Sequence, residues 1–184
     1  VANGFQGYIY EILVFTRILS DSERNRIHYY FSKKWGVESR VDSDGDGTVD
    51  ASDSDPLTAS TISFTNTVNN QINQLDELGN VDADIMLWLD ASNVDAASNS
   101  TLSDGDSISE WKDLSGKNQH LSNSSVSQQP NYNGTGVVFD GNEFLSGTPT
   151  HLPTGNNSRT VYVVVDNVQL ISDWNVIFHY GEED

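Results

Sequence analysis

The sequence predicts an all-β sandwich with one amphipathic helix near the N-terminus and an acidic loop whose carboxylates are spaced like cation ligands. Three observations lead there. Short runs rich in β-branched and aromatic residues recur between Gly, Asn and Ser turns. One segment, Thr16 to Gly36, carries clear helix start and stop signals. Between helix and later strands, Val41 to Pro56 is almost devoid of apolar residues.

The elements follow in chain order. GYIYEILVF, Gly7 to Phe15, reads as a buried strand because nearly every residue is aromatic, β-branched or Leu. In the next segment Ser20 and Glu23 have capping-box spacing, and Asp21 and Glu23 suit the positive end of a helix. Ile27, Tyr30, Phe31 and Lys34/Trp35 fall at helical spacing, Lys33 and Lys34 occupy the last turn, and Gly36 supplies the stop. Residues 57–84 form a polar connector in which Val68, Ile72, Leu75 and Leu78 suggest a weak helix. IMLWLDAS, Ile85 to Ser92, is a strand. SISEWKDLSG reads as a short strand ending in a turn at Ser115-Gly116, and GVVFDGNEFLSG as two short strands about Asp140-Gly141-Asn142. RTVYVVVDNV is the most β-prone run, and WNVIFHYG, Trp174 to Gly181, is a further strand candidate.

Bulk properties narrow the function classes. Lys plus Arg number 9 against 27 Asp plus Glu, for a net charge of −18. Such a surface repels phosphate backbones, so nucleic acid and anionic membranes are poor partners. Without cysteine there are no disulfides, thiolate metal sites or cysteine nucleophiles. No apolar run approaches the roughly 20 residues that span a bilayer. The chain opens on Val with no signal peptide, so an export signal is expected upstream of an internal or artificial start.

The acidic loop is the most specific signal. With Asp42 at position one of a twelve-residue calcium loop, Asp44, Asp46, Asp50 and Asp53 fall at three, five, nine and twelve. Gly47 then sits at six, where a sharp turn is needed, and the Thr48 carbonyl at seven. Ca2+ takes six to eight oxygens at about 2.3–2.6 Å, which several short acids and a backbone carbonyl can supply. Asp at position twelve, in place of Glu, points to a structural ion that stiffens a linker. Asp55 is an alternative to Asp53, or a ligand to a second ion. The bland reading is a solvated acidic linker. DSDGDGTVDASDSDP resembles the calcium-binding thrombospondin type 3 repeat, over about sixteen residues.

Other short motifs carry a second resemblance. LWLDAS at Leu87, SEWKDLSG at Ser109, QPNY at Gln129 and VVFDGNEFLS at Val137 together resemble the N-terminal half of a bacterial laminin-G-like (concanavalin A-like lectin) jelly-roll domain. The opening stretch, FQGYIYEILVFTRILSDSERNRIHYYFSKKWG, resembles the C-terminal end of the same kind of domain. The halves stand in reversed order, and the middle strands of the domain are missing. The resemblance implies a jelly-roll β-sandwich, partial or permuted, divided as 1–40 (end of one repeat), 41–56 (calcium linker), 57–84 (connector) and 85–184 (start of the next repeat). Either the chain is cut from a tandem array, or the two pieces pack as a permuted partial sandwich. In the family the first and last strands share one sandwich, so Gly7–Phe15 and Ile85–Asp90 would then pair.

Relatives of this sandwich include glycoside hydrolases, which need two carboxylates flanking the sugar bond. Asp82/Asp84 and Glu182/Glu183/Asp184 are acid pairs, but none lies inside a strand at alternating positions. His28, His120, His151 and His179 lack ligand-like spacing. Trp88 and Trp111 read as core, and Asp90, Asp113 and Ser115 as turn or cap groups. A second calcium or a sugar pocket built on Asp90, Asp113 or Asn118 is the sharper alternative. The expectation is therefore a non-catalytic, calcium-binding adhesion or carbohydrate-binding module, secreted or on the cell surface of a bacterium. Its partners would be a glycan or cell-surface protein and further repeats of the parent chain. The alternatives are an accessory domain of a glycan-degrading enzyme and a purely structural spacer.

Overall fold

A single ten-residue strand, β1 (Gln6–Phe15), organises the larger part of the molecule. The computed structural model describes residues 5–57, 84–166, 168 and 176–181. Among these lie seven strands and one α-helix, so the chain is β-rich as expected. It divides into two compact units, Val1–Thr16 with Ile85–Asp184, and Arg17–Asp84. The composition changes at residue 40, whereas the compact units part at Thr16, because β1 is claimed by strands that come seventy or more residues later.

In the first unit β1 is the central strand of an antiparallel sheet. Along one edge it pairs with β7 (Thr160–Asp166), from Tyr8↔Asp166 to Phe15↔Thr160. Its other edge is shared: Gln6–Ile9 pair with β6 (Val137–Asp140), and Glu11–Phe15 with β2 (Ile85–Asp90). The β7 register shifts between Ile9 and Glu11, at the point where the opposite edge changes partner. β5 (Asn131–Tyr132) continues the sheet beyond β6. A small separate ladder joins β3 (Glu110–Trp111) to β4 (Leu121–Ser122).

Because cross-strand partners share a face, Ile12 stands with Leu89 on one side of the sheet and Leu13 with Trp88 on the other. Glu11 to Phe15 are all buried, which is why this strand reads as continuous apolar sequence and not as an alternation. One face looks into an apolar cavity of about 730 Å³ lined by Ile9, Ile12, Leu87, Leu89, Trp111 and Phe139, among others. Trp88 and Trp111 are each 1% exposed, as their reading as core residues requires.

The outer edge of β2 is closed by a loop and not by a strand. Trp88 N–H donates to Asp113 Oδ1 at 3.0 Å, and Leu114 N–H donates to the Trp88 carbonyl at 2.8 Å. Ser115 Oγ and Gln119 Nε2 both donate to the Met86 carbonyl. SISEWKDLSG therefore contributes only two ladder residues, and its Asp113–Ser115 part caps an edge that would otherwise offer open backbone groups.

Two strand expectations are corrected. After the turn at Gly141 (φ +104°) the chain does not fold back on β6. Asp140 N–H is taken by the Glu143 carboxylate at 2.6 Å, Phe144 N–H goes to the Gln128 carbonyl, and Ser146 makes an isolated bridge to Ser122. In WNVIFHYG, the described residues Val176–Gly181 are not in a strand; Ile177, Phe178 and Tyr180 line the cavity instead. β propensity measures fit to a half-buried pleated surface, and without a ladder partner it yields no strand. The weak helix expected around Val68, Ile72, Leu75 and Leu78 lies outside the described residues.

The second unit contains α1 (Asp21–Lys34) and the acidic loop. The capping box forms: Ser20 Oγ accepts from Glu23 N–H, and Glu23 Oε2 accepts from Ser20 N–H at 2.8 Å. Arg17 grips Glu23 with two bonds of 2.8 and 2.7 Å and donates to Asp84 at 2.6 Å. Hydrogen bonding to Arg17 outweighs partial burial and holds the Glu23 carboxyl down at about 2. Ile27, Tyr30 and Phe31 are buried as their spacing predicts, and Gly36 takes φ +65° beyond the last turn. Ser32 is also buried, although it is polar.

Candidate metal site

The acidic loop leaves α1 through two short turns and is built from repeated side chain–backbone bonds. Asp42 accepts from Gly45 N–H at 2.8 Å and from Gly47 N–H at 2.9 Å. Asp44 Oδ1 accepts from Asp46 N–H at 3.1 Å, and Asp46 Oδ1 from Thr48 N–H at 2.7 Å. Each Asp thus folds the backbone locally, as short carboxylates do. Gly45 (φ +79°) and Gly47 (φ +97°) adopt conformations that L side chains resist, so the expected turn at Gly47 is present.

This winding brings Asp42, Asp44 and Asp46 together, one oxygen of each lying within 4.8 Å of the others. Among the described residues no other group of three or more acidic or histidine side chains converges in this way. Asp44 Oδ2 and Asp53 Oδ2 are buried atoms without a hydrogen-bond partner. A buried, ionised oxygen with no donor is costly unless a cation or water satisfies it. Asp53 uses its other oxygen to accept from Asp55 N–H at 2.8 Å, and its own N–H closes a helical turn to the Val49 carbonyl. The donor set is all oxygen and strongly anionic, which fits a hard divalent cation such as Ca2+.

Asp50, expected at position nine, is placed differently. It is 3% exposed, and both of its oxygens face internal donors. Oδ1 accepts from Ser43 N–H at 2.8 Å; Oδ2 accepts from Ser43 Oγ at 2.8 Å and from Ser32 Oγ of α1. Thr48 is exposed at the tip of the loop.

In the first unit, Asp113 (6% exposed) accepts from four donors, Trp88 N–H, Ser115 N–H, Ser115 Oγ and Gln119 N–H. Asp90 accepts from Ser92 N–H and Oγ and caps a 3-10 turn, Ala91–Asn93. Both residues are thus the turn and cap groups that the sequence suggested, and Asn118 is an exposed turn residue at φ +57°.

One feature went unseen in the sequence. Glu11 and Asp90 face each other across β1 and β2, both 0% exposed, with Trp88 Nε1–H donating to Glu11 Oε1 at 2.8 Å. The signal was a single acid in the apolar run YIYEILVF. Its burial gives it a structural place in the sheet and no open path to a substrate. Of the acid pairs weighed earlier, Asp84 is bonded to Arg17, while Asp82 and Glu182–Asp184 lie outside the described residues. His120 Nδ1 accepts from Asp113 N–H, Thr150 Oγ1 lies 3.1 Å from His151 Nδ1, and His179 lines the cavity. No protein-family model, curated protein or solved structure matches the chain.

Proposed function

We propose that this chain is a calcium-binding, non-catalytic module of a secreted, multidomain bacterial surface protein. The observation that carries the calcium reading is the pair of buried, partnerless carboxylate oxygens, Asp44 Oδ2 and Asp53 Oδ2, in a loop where Asp42, Asp44 and Asp46 converge. Asp42, Asp44, Asp46 and Asp53 supply side-chain oxygens and Thr48 its carbonyl. Bound Ca2+ supplies positive charge that offsets the mutual repulsion of these acids, and so stiffens the loop.

A partial jelly roll of the laminin-G-like kind is the finer fold reading. Antiparallel pairing of β1 with β2 supports it, because in that family first and last strands share one sandwich. The apolar cavity over the same sheet supports it too, since a sandwich places a second sheet against such a face. An extracellular location, and a glycan or cell-surface protein as partner, rest on the sequence resemblance and on the millimolar calcium found outside cells.

Calorimetric titration with calcium, on the chain and on its Asp44→Ala/Asp46→Ala variant, tests the site. Saturable binding that the variant loses is expected. Weak heat equal in both proteins would reduce residues 42–53 to a solvated acidic loop.

A further inference from the structure

Asp50 occupies the ninth position of the loop, yet its environment is that of a strut. Its backbone N–H donates to the Val41 carbonyl at 2.7 Å, which joins the second limb of the loop to the start of the first. Its carboxylate takes both the N–H and the hydroxyl of Ser43, between ligand candidates Asp42 and Asp44. The remaining donor, Ser32 Oγ, comes from the buried face of α1, eighteen residues earlier. A second tie runs parallel once the Asn25 amide is assigned so that its nitrogen faces the two carbonyls beside it: it then donates to the Ser43 carbonyl at 3.1 Å and to the Asp21 carbonyl at 3.0 Å. The loop is therefore fastened to α1 at Ser43 from two helix positions, and Asp50 is the hub of one of them.

We infer that Asp50 is a positioning residue for the cation site, holding the two limbs of the loop in binding geometry and linking calcium loading to α1 through Ser32. This rests on the calcium reading above. With three donors on its two oxygens, Asp50 cannot turn to an ion without leaving the Ser43 N–H and hydroxyl without an acceptor and sending the Ser32 hydroxyl to the Tyr29 carbonyl, 3.0 Å away in its own helix. Held as it is, it fixes the backbone on either side of Asp42, at Val41 and Ser43, so less ordering is left for the ion to impose. The same bonds give calcium a route to α1: an ion that tightens the loop also tightens the helix to which the loop is fastened.

The test compares calcium titrations of the wild-type chain with Ser32→Ala, Asp50→Asn and Asp46→Asn, alongside amide hydrogen exchange of α1 with and without calcium. Ser32 lies outside the loop, so a role for Asp50 as ligand predicts no loss on Ser32→Ala. The strut predicts a loss of about 3- to 10-fold in affinity. Asp50→Asn keeps an oxygen for the Ser43 N–H and an amide for the two hydroxyls, so it should weaken binding less than Asp46→Asn does. Calcium should slow exchange over Ile27–Lys34 in the wild type and lose that effect in Ser32→Ala. If Ser32→Ala unfolds α1 without calcium, Ser43→Ala removes the other hydroxyl from the same oxygen and serves in its place. Wild-type affinity in the serine variant, with Asp50→Asn as damaging as Asp46→Asn, would make Asp50 a ligand and overturn the inference alone. No calcium binding by the wild type would overturn the site itself, and this role with it.

Discussion

Replacing Asp113 by Ala probes how the first unit is held together. The carboxylate is 6% exposed and serves four donors. After truncation, water can reach the half-buried Ser115 N–H and hydroxyl. The N–H groups of Trp88 and Gln119 belong to residues that are 1% and 6% exposed, and they have nowhere to turn. Each stranded buried donor costs about 1–3 kcal/mol, so the two together predict a loss of about 4 kcal/mol. Asp113→Asn keeps a carbonyl for one oxygen's donors but turns an amide N–H₂ toward the other's, and about half that loss is expected. Urea unfolding followed by tryptophan fluorescence suits the measurement, because Trp88 and Trp111 are both buried in this unit. A loss below about 1 kcal/mol for Asp113→Ala would refute the view that this side chain closes the edge of β2.

Four further outcomes follow from the second unit. Ser20→Ala, which breaks the capping box, should cost about 1 kcal/mol by thermal or urea unfolding; a neutral effect would mean that α1 is held by packing alone. The Glu23 carboxyl is held at about 2, below its ordinary 4.5, so its contribution is complete above the unfolded value and disappears as pH falls toward 2. Because Arg17 is partly exposed, that contribution should be only about 1 kcal/mol, and the stability gap between wild type and Glu23→Gln should close over the same acid range. Burial pushes the His28 imidazole below its ordinary 6.5, with Arg24 adding to the effect and Asp50 opposing it. The unfolded chain therefore takes the proton first, and stability should fall as pH drops through 6.5; a His28 NMR titration at or above 6.5 would contradict this. Gly47→Ala should cost about 1 kcal/mol, because φ of +97° strains an L residue, and should weaken calcium binding as well.

Much of the local structure was legible in the sequence because its causes are local. The Ser20–Glu23 box, the Ile27/Tyr30/Phe31 face and the turn at Gly47 each depend on residues within a few positions of one another, and each is found where the spacing puts it. The strands β1, β2, β6 and β7 were visible for a similar reason: β-branched and aromatic runs announce a buried pleated surface. Convergence of Asp42, Asp44 and Asp46 likewise follows from alternating Asp residues that wind the backbone between them.

Tertiary structure decided what required distant partners. Pairing of β1 with β2, β6 and β7 draws the first sixteen residues into a unit with residues 85–184, a choice that composition around residue 40 cannot express. Val176–Gly181 has strand-like composition but no strand, because ladder bonds need a neighbour and composition does not supply one. Asp50 shows the same limit within the loop. Spacing makes it equivalent to Asp42, Asp44 and Asp46, yet only the packing of α1 brings Ser32 to its oxygen. Periodicity and short-range spacing set which groups are available, and the free energy of burying them together sets which ones meet.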